Sequence, residues 1–296
     1  MFSLVLSTFC YGAPFLESSC RSIKIVTSFS ILKDFVEKIT WGVPNIFIES
    51  IVPVEADPHT YQPTPEDSKA LAKADLIFMN GLDFEKGLEK LVASSGFQGK
   101  VCFVAEGMDA RTKPLDPHLW HDVQKAGDYV RVIVAVLKSW DPLHQDIYQD
   151  NANQLLDQLR ELDQWVHQRL SLIPVEQRLV VTTHDAFWYY GQAYGVSFFS
   201  PVGISTENEP TAKDVAALID FIRVRKVKAV FIENLANPRL LQQIAEEAEV
   251  ELQGVLYADS LSRPESPAFD YQAMIRHNTL TIQKALLGHS SCNPLY

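Results

Sequence analysis

Cysteine is scarce in this chain. There are four in 296 residues, Cys10, Cys20, Cys102 and Cys292, and no Cys-x-x-Cys pair. A thiolate metal site is therefore not expected, and any disulfide framework is sparse. Basic residues also run short, with 26 lysines and arginines against 37 acids and a formal charge of −11. Nucleic acid needs a basic patch, so no nucleic-acid partner is expected. Long apolar runs are missing as well. The uncharged run 2–16 ends at Glu17 and falls short of the roughly 20 apolar residues that cross a bilayer. There is no low-complexity segment and no flexible linker.

What remains is a soluble, acidic chain, 47% hydrophobic, long enough for one large domain or two medium ones. Residues 2–16 resemble the apolar part of a secretory signal, with Tyr11-Gly12-Ala13 as a small-residue cleavage site but no basic segment before it. An N-terminal strand is the other reading. Cys10 is a candidate for lipid attachment, although Ser7-Thr8-Phe9 is a poor match to a lipobox.

From Ile23 onward, short apolar runs alternate with amphipathic stretches. Strands are expected at 23–28, 47–52, 74–79 and 101–104, and again at 179–183, 196–199, 229–232 and 251–256. Helices fall between them, with Thr64-Pro65-Glu66-Asp67 and Thr211 as helix starts. Residues 143–170 contain no proline or glycine. Ile147, Asn151, Leu155, Leu159, Leu162 and Val166 form one stripe there, predicting a long helix of roughly 40 Å. The fold class is α/β: two βα lobes with mostly parallel sheets, joined by that helix. The expected divisions are an N-terminal segment 1–21, a first lobe 22–142, the linking helix 143–172 and a second lobe 173–296.

Asp57-Pro58-His59 recurs as Asp116-Pro117-His118. Proline fixes its own φ and restricts the residue before it, so each histidine is held in a stiff loop. His184 follows a strand, as does Asp259. In open parallel sheets, ligands bind outside the carboxyl ends of the strands. Three imidazoles and a carboxylate suit zinc well, and manganese or iron acceptably. Asp57 and Asp116 read foremost as turn-formers. Glu233 is a candidate to hold a ligand histidine through its second ring nitrogen. His121 has either that supporting role or a surface position. Glu207 and Glu209 line the cleft or face solvent. His144, His167, His277 and His289 read as structural.

Asp57-Pro58-His59-x-Tyr61-x-Pro63, Asp116-Pro117-His118-x-Trp120-x-Asp122, Thr183-His184-x-Ala186-Phe187-x-Tyr189, Phe231-Ile232-Glu233 and Asp259-Ser260-Leu261, in this order, resemble the zinc- and manganese-binding solute-binding proteins of ABC transporters. The resemblance covers nearly the whole chain from Ile23, including Tyr148-x-x-Asn151-Ala152. It implies two βα lobes on a rigid helix and His59, His118, His184 and Asp259 as metal ligands. It further implies a divalent transition metal as cargo, an ABC-transporter membrane permease as partner, and a periplasmic or extracytoplasmic location with a membrane anchor as an option. A monomer is expected. Many zinc members carry a histidine-rich loop that residues 85–115 lack. Manganese members often have glutamate where this chain has His184. On balance zinc is favoured over manganese. Two rival readings are a zinc-dependent hydrolase or lyase, and a surface adhesin on the same fold. Catalytic zinc usually keeps three protein ligands and an open position. A set of four argues against the enzyme.

Overall fold

The computed structural model describes residues 22–288. The signal-like run, Cys10, Cys20, Cys292 and His289 lie outside them.

The first half is built from β1 (Ile23–Thr27), α1 (Ser30–Thr40), β2 (Ile46–Ser50), α2 (Pro65–Ala72), β3 (Leu76–Met79), α3 (Lys86–Ser94) and β4 (Lys100–Phe103). These strands form one parallel sheet in the order β2-β1-β3-β4. The local chemistry is direct. One face of α1 buries Ile31, Leu32, Phe35, Val36 and Ile39, the spacing of a helix laid on a sheet. Thr64 and Asp67 close a reciprocal capping box on α2, with Pro65 at its first position.

Two helices lead to the second half: α4 (Val123–Trp140) and α5 (Gln145–Ser171). Then follow β5 (Leu179–Val181), α6 (Trp188–Tyr194), β6 (Ser197–Phe199), α7 (Ala212–Arg225), β7 (Ala229–Glu233), α8 (Arg239–Ala248), β8 (Leu252–Leu256) and α9 (Tyr271–Leu287). The second sheet is also parallel, ordered β6-β5-β7-β8. Both sheets thus share one winding order.

The long helix differs from expectation in its buried face. Ile147 is 38% exposed, whereas Tyr148 and Ala152 are fully buried. The inward stripe runs Tyr148, Ala152, Leu155, Leu159, Leu162, Val166 and Leu170. The stripe is turned by what α5 packs against: α4, α1 and α9. Asn151 is used as a polar cap. Its side-chain N–H groups donate to the carbonyls of Ile39 and Trp41, each at 2.9 Å, and close the end of α1. Residues 185–187, expected as helix, form a turn instead. The Asp185 N–H donates to Gly203 O at 3.1 Å and the Ala186 N–H to His184 O at 3.0 Å, so α6 starts only at Trp188.

Most buried side chains belong to a single apolar core that runs beneath both sheets, from Ile25 to Leu286. A second, smaller core lies between the outer face of the second sheet and α7 and α8, around Val181, Ile222, Val230 and Ile244. No helix among the described residues is long and apolar enough to cross a membrane.

Candidate metal centre

The loops after β2, β4, β5 and β8 bring His59, His118, His184 and Asp259 together. One donor atom from each lies within 4.8 Å of the other three. The Nε2 atoms of His59 and His118 face each other at 3.2 Å. Asp259 Oδ1 lies 3.4 Å from His118 Nε2, and its Oδ2 lies 3.7 Å from His59 Nε2 and 3.2 Å from His184 Nε2. A tetrahedron with ligand bonds of about 2.0–2.1 Å has edges of about 3.3 Å. All four side chains are 3% exposed or less. His184 Nε2 and Asp259 Oδ1 are buried and make no hydrogen bond. Buried polar atoms left unpaired in this way are expected where an ion or water completes the site.

Each histidine is held from behind. Asp57 Oδ1 accepts the His59 backbone N–H at 2.9 Å, and Asp57 Oδ2 accepts the Thr206 hydroxyl at 2.6 Å. Asp116 Oδ1 accepts the His118 backbone N–H at 3.0 Å and also its ring Nδ1–H at 2.9 Å. Asp116 is therefore more than the turn-former read from sequence: it fixes which ring nitrogen faces the cluster. The signal for this was the buried acid two residues before a histidine, but sequence alone does not separate a turn from a ring contact. Glu233 Oε1 accepts the backbone N–H groups of Thr183 and His184 at 2.9 and 3.0 Å. Its Oε2 accepts Nδ1–H of His184. Removing such a partner loosens the ring and typically weakens metal binding 10- to 100-fold. Asp116→Asn is expected to lower affinity about tenfold with the fold intact, which a competitive chelator titration beside circular dichroism would check. Unchanged affinity would remove Asp116 from the site.

Aromatic rings wall the first two histidines of the cluster. Phe84 meets His59 edge-on at 4.8 Å between centroids, and Trp120 meets His118 at 5.3 Å. Asn80 donates from Nδ2 to Pro117 O at 3.2 Å and accepts from Tyr129 OH at 2.6 Å, bracing the second loop.

The cluster is electrically divided. Burial pushes the His59 imidazole down to about 3, against the pull of Asp259, and His118 and His184 add to the depression. His184 goes the other way. Burial would lower it, but the charges of Glu233 and Asp259 outweigh burial and hold it well above its ordinary value. Burial would raise Asp259, yet His184, His118 and His59 hold its carboxyl below the usual range.

His121 is not on the surface. It is completely buried, its ring 4.4 Å from that of Phe187, and neither ring nitrogen makes a hydrogen bond. An orphaned buried polar group costs about 1–3 kcal/mol. His121→Leu is expected to raise the melting temperature by about 2–4 °C, roughly 1 kcal/mol for a chain of this size. A lower melting temperature would mean that the ring has a partner it needs. His144 pairs with Asp141, and His277 contacts the carbonyl of Val255. His167 packs edge-on against Tyr194. None of the three joins the cluster. Glu209 lines a cavity beside His184 and Asp259, and Glu207 a smaller one beside His59. Cys102 is a buried free thiol, pushed up to about 11 by burial, and takes no part.

Residues 25–285 match the family described as zinc-uptake complex component A, periplasmic. The chain is 35% identical over 273 residues to a manganese-binding lipoprotein, MntA, of Halalkalibacterium halodurans, covering 90% of this chain and 89% of that one. It is 32% identical to the manganese ABC transporter substrate-binding lipoprotein PsaA of Streptococcus pneumoniae, covering 91% of each. Among solved structures it is similar to the periplasmic zinc-binding protein TroA of Treponema pallidum. There the TM-score is 0.84 at 28% identity, over 90% of this chain and 99% of that one. A manganese-bound periplasmic metal-binding protein of Candidatus Liberibacter asiaticus matches with a TM-score of 0.81 at 26% identity, over 90% of this chain and all of that one.

Proposed function

The chain belongs to the periplasmic zinc-uptake component A family, and from that premise we propose that it is the extracytoplasmic solute-binding component of an ABC metal importer. It captures a divalent transition metal between its halves and delivers it to a membrane permease. We take the lobes as 22–142 and 173–296, with 143–172 as the brace between them. Its lipoprotein relatives support an anchored location outside the cytoplasmic membrane.

The observation that carries this reading is the buried convergence of four donor atoms, two from each half, on one point. His59 and His118 come from the first half, His184 and Asp259 from the second. Asp116 and Glu233 hold the imidazoles of His118 and His184 so that Nε2 faces the ion, which lowers the entropy lost on binding. The protein does no chemistry on its cargo: four protein donors fill a tetrahedral zinc and leave no position for activated water. All four come from one chain, so a monomer suffices.

Zinc is favoured over manganese. The donor set is compact, within 4.8 Å, and a third imidazole is a softer donor than the carboxylates manganese prefers. Elemental analysis of the purified protein, paired with competitive zinc and manganese titration of the stripped form, tests both levels. One zinc per chain is expected, lost in His184→Ala. Retention of manganese instead would keep the transport role and change the cargo. No stoichiometric metal at all would overturn the reading.

A further inference from the structure

The loop that leads to His118 is tied to the turn that begins at His184 by one guanidinium. Arg111 Nη1 donates to Asp185 Oδ2 at 3.2 Å and lies 3.6 Å from Asp116 Oδ2. Asp116 holds the His118 ring through its other oxygen, and Asp185 directly follows His184. The two carboxylates therefore stand beside cluster histidines from opposite halves, and a single cation is shared between them. The surroundings support the tie. Tyr189 OH accepts the Arg111 backbone N–H at 2.8 Å and donates to Asp116 O at 3.1 Å. The Asp116 backbone N–H donates to Arg111 O at 3.0 Å. The guanidinium carbon sits 5.2 Å from the centroid of the Trp188 ring, inside cation–π range. The Arg111 side chain is 18% exposed and that of Asp116 is fully buried, so salt screens the pair weakly.

A positive charge on these carboxylates works against a cation site. By charge alone Arg111 repels the ion, and its removal would tighten binding. Geometry gives it the opposite effect. An arginine carries its donors in one rigid plane, so it can hold two carboxylates at a set spacing. We propose that Arg111 is a positioning residue for the metal site: shared between Asp116 and Asp185, it fixes the His118 and His184 loops at one spacing across the two halves. The donor atoms then converge before the ion arrives, and less ordering is left for the ion to impose. The inference rests on the metal-site reading above.

The test is competitive zinc titration of the stripped full chain. The visible absorption of the cobalt(II)-loaded form is recorded beside it, because those bands report coordination geometry. Arg111→Met is expected to bind zinc about tenfold more weakly than the parent, the low end of the loss when a group supporting a metal site is removed. Its cobalt bands are expected to shift. Asp185→Asn leaves the guanidinium and its Asp116 contact in place, so it is the milder variant and is expected to lose less. The double variant is expected to be no weaker than Arg111→Met, because both changes act through one tie. Lys38→Met is the control. Lys38 also bridges the halves, 2.8 Å from Asp34 and 2.9 Å from Asp270. It lies roughly 12 Å further along α1 than Ser30, whose hydroxyl is 3.4 Å from that of Ser260, the residue after Asp259. This control is expected to keep zinc affinity within threefold of the parent and the parent's cobalt spectrum. Binding by Arg111→Met that equals or exceeds the parent's would overturn the inference and leave the metal site standing. So would losses that add in the double variant, or a loss in Lys38→Met as large as in Arg111→Met. Failure of the parent to hold either metal would remove the metal site, and this inference with it.

Discussion

Stripped protein carrying His59→Ala is expected to bind zinc at least a hundredfold more weakly than the parent. The magnitude follows from sharing. Four-ligand zinc sites bind with about 10–16 kcal/mol at neutral pH. One quarter of the lower end is about 2.5–3 kcal/mol, and each 1.4 kcal/mol is a factor of ten. His59 is the clean position for this test because its loop does the least structural work. It is held by the Asp57 turn and the Thr206 hydroxyl, and both bonds are to Asp57 rather than to the ring. Loss of the ring leaves them in place. The metal-free variant should therefore keep its circular dichroism spectrum and lose only the rise in melting temperature that zinc confers. Affinity within threefold of the parent would mean that His59 is not a ligand and that the cluster of four is a coincidence of packing.

Affinity is also expected to fall about tenfold for each unit of pH below neutrality, so about a hundredfold between pH 7 and pH 5. His184 sets the sign. Its value in the metal-free fold is raised by Glu233 and Asp259 against burial, which favours the protonated ring, and a proton on Nε2 has to leave before that atom can hold an ion. His59 has none to give, being pushed down to about 3. Capture should therefore release protons, with His184 as their source. The same proton stabilises the empty fold. That contribution is fully present below the unfolded value of about 6.5 and is lost as pH rises through the folded one. Calorimetry in two buffers of different ionisation heat measures the proton directly. Glu233→Gln should flatten the slope, because the amide cannot hold the charge. An affinity that stays level from pH 7.5 to pH 5.5 would rule the scheme out.

The convergence of these four side chains is largely legible in the sequence. The two Asp-Pro-His loops, the strand ending at His184 and the loop at Asp259 are local patterns, and each side chain's place follows from βα alternation. The ion-facing side was less legible. Whether Asp116 reaches a ring or only closes a turn depends on one side-chain torsion. The burial of His121 depends on Phe187, sixty-six residues away in sequence and brought over it by the seam between the halves. Periodicity puts Ile147 inside because it gives the width of a stripe and not its heading. The heading is set by α1, α4 and α9, which no window along α5 contains.

The separation of the two cores decides where this protein can yield. The main core passes unbroken under both sheets. The halves cannot part like the jaws of a hinge without tearing it, so loaded and empty forms should differ little in overall shape. The smaller core under α7 and α8 shares none of that continuity. It is expected to open as a unit of its own, at a lower free energy than the main core. Its sheet carries His184 and Glu233 at the ends of β5 and β7. Amide hydrogens of β7 and α8 should exchange sooner than those of α5, and bound zinc should slow them most. A permease that loosens this outer layer would release the third histidine from its carboxylate while the rest of the molecule stays folded.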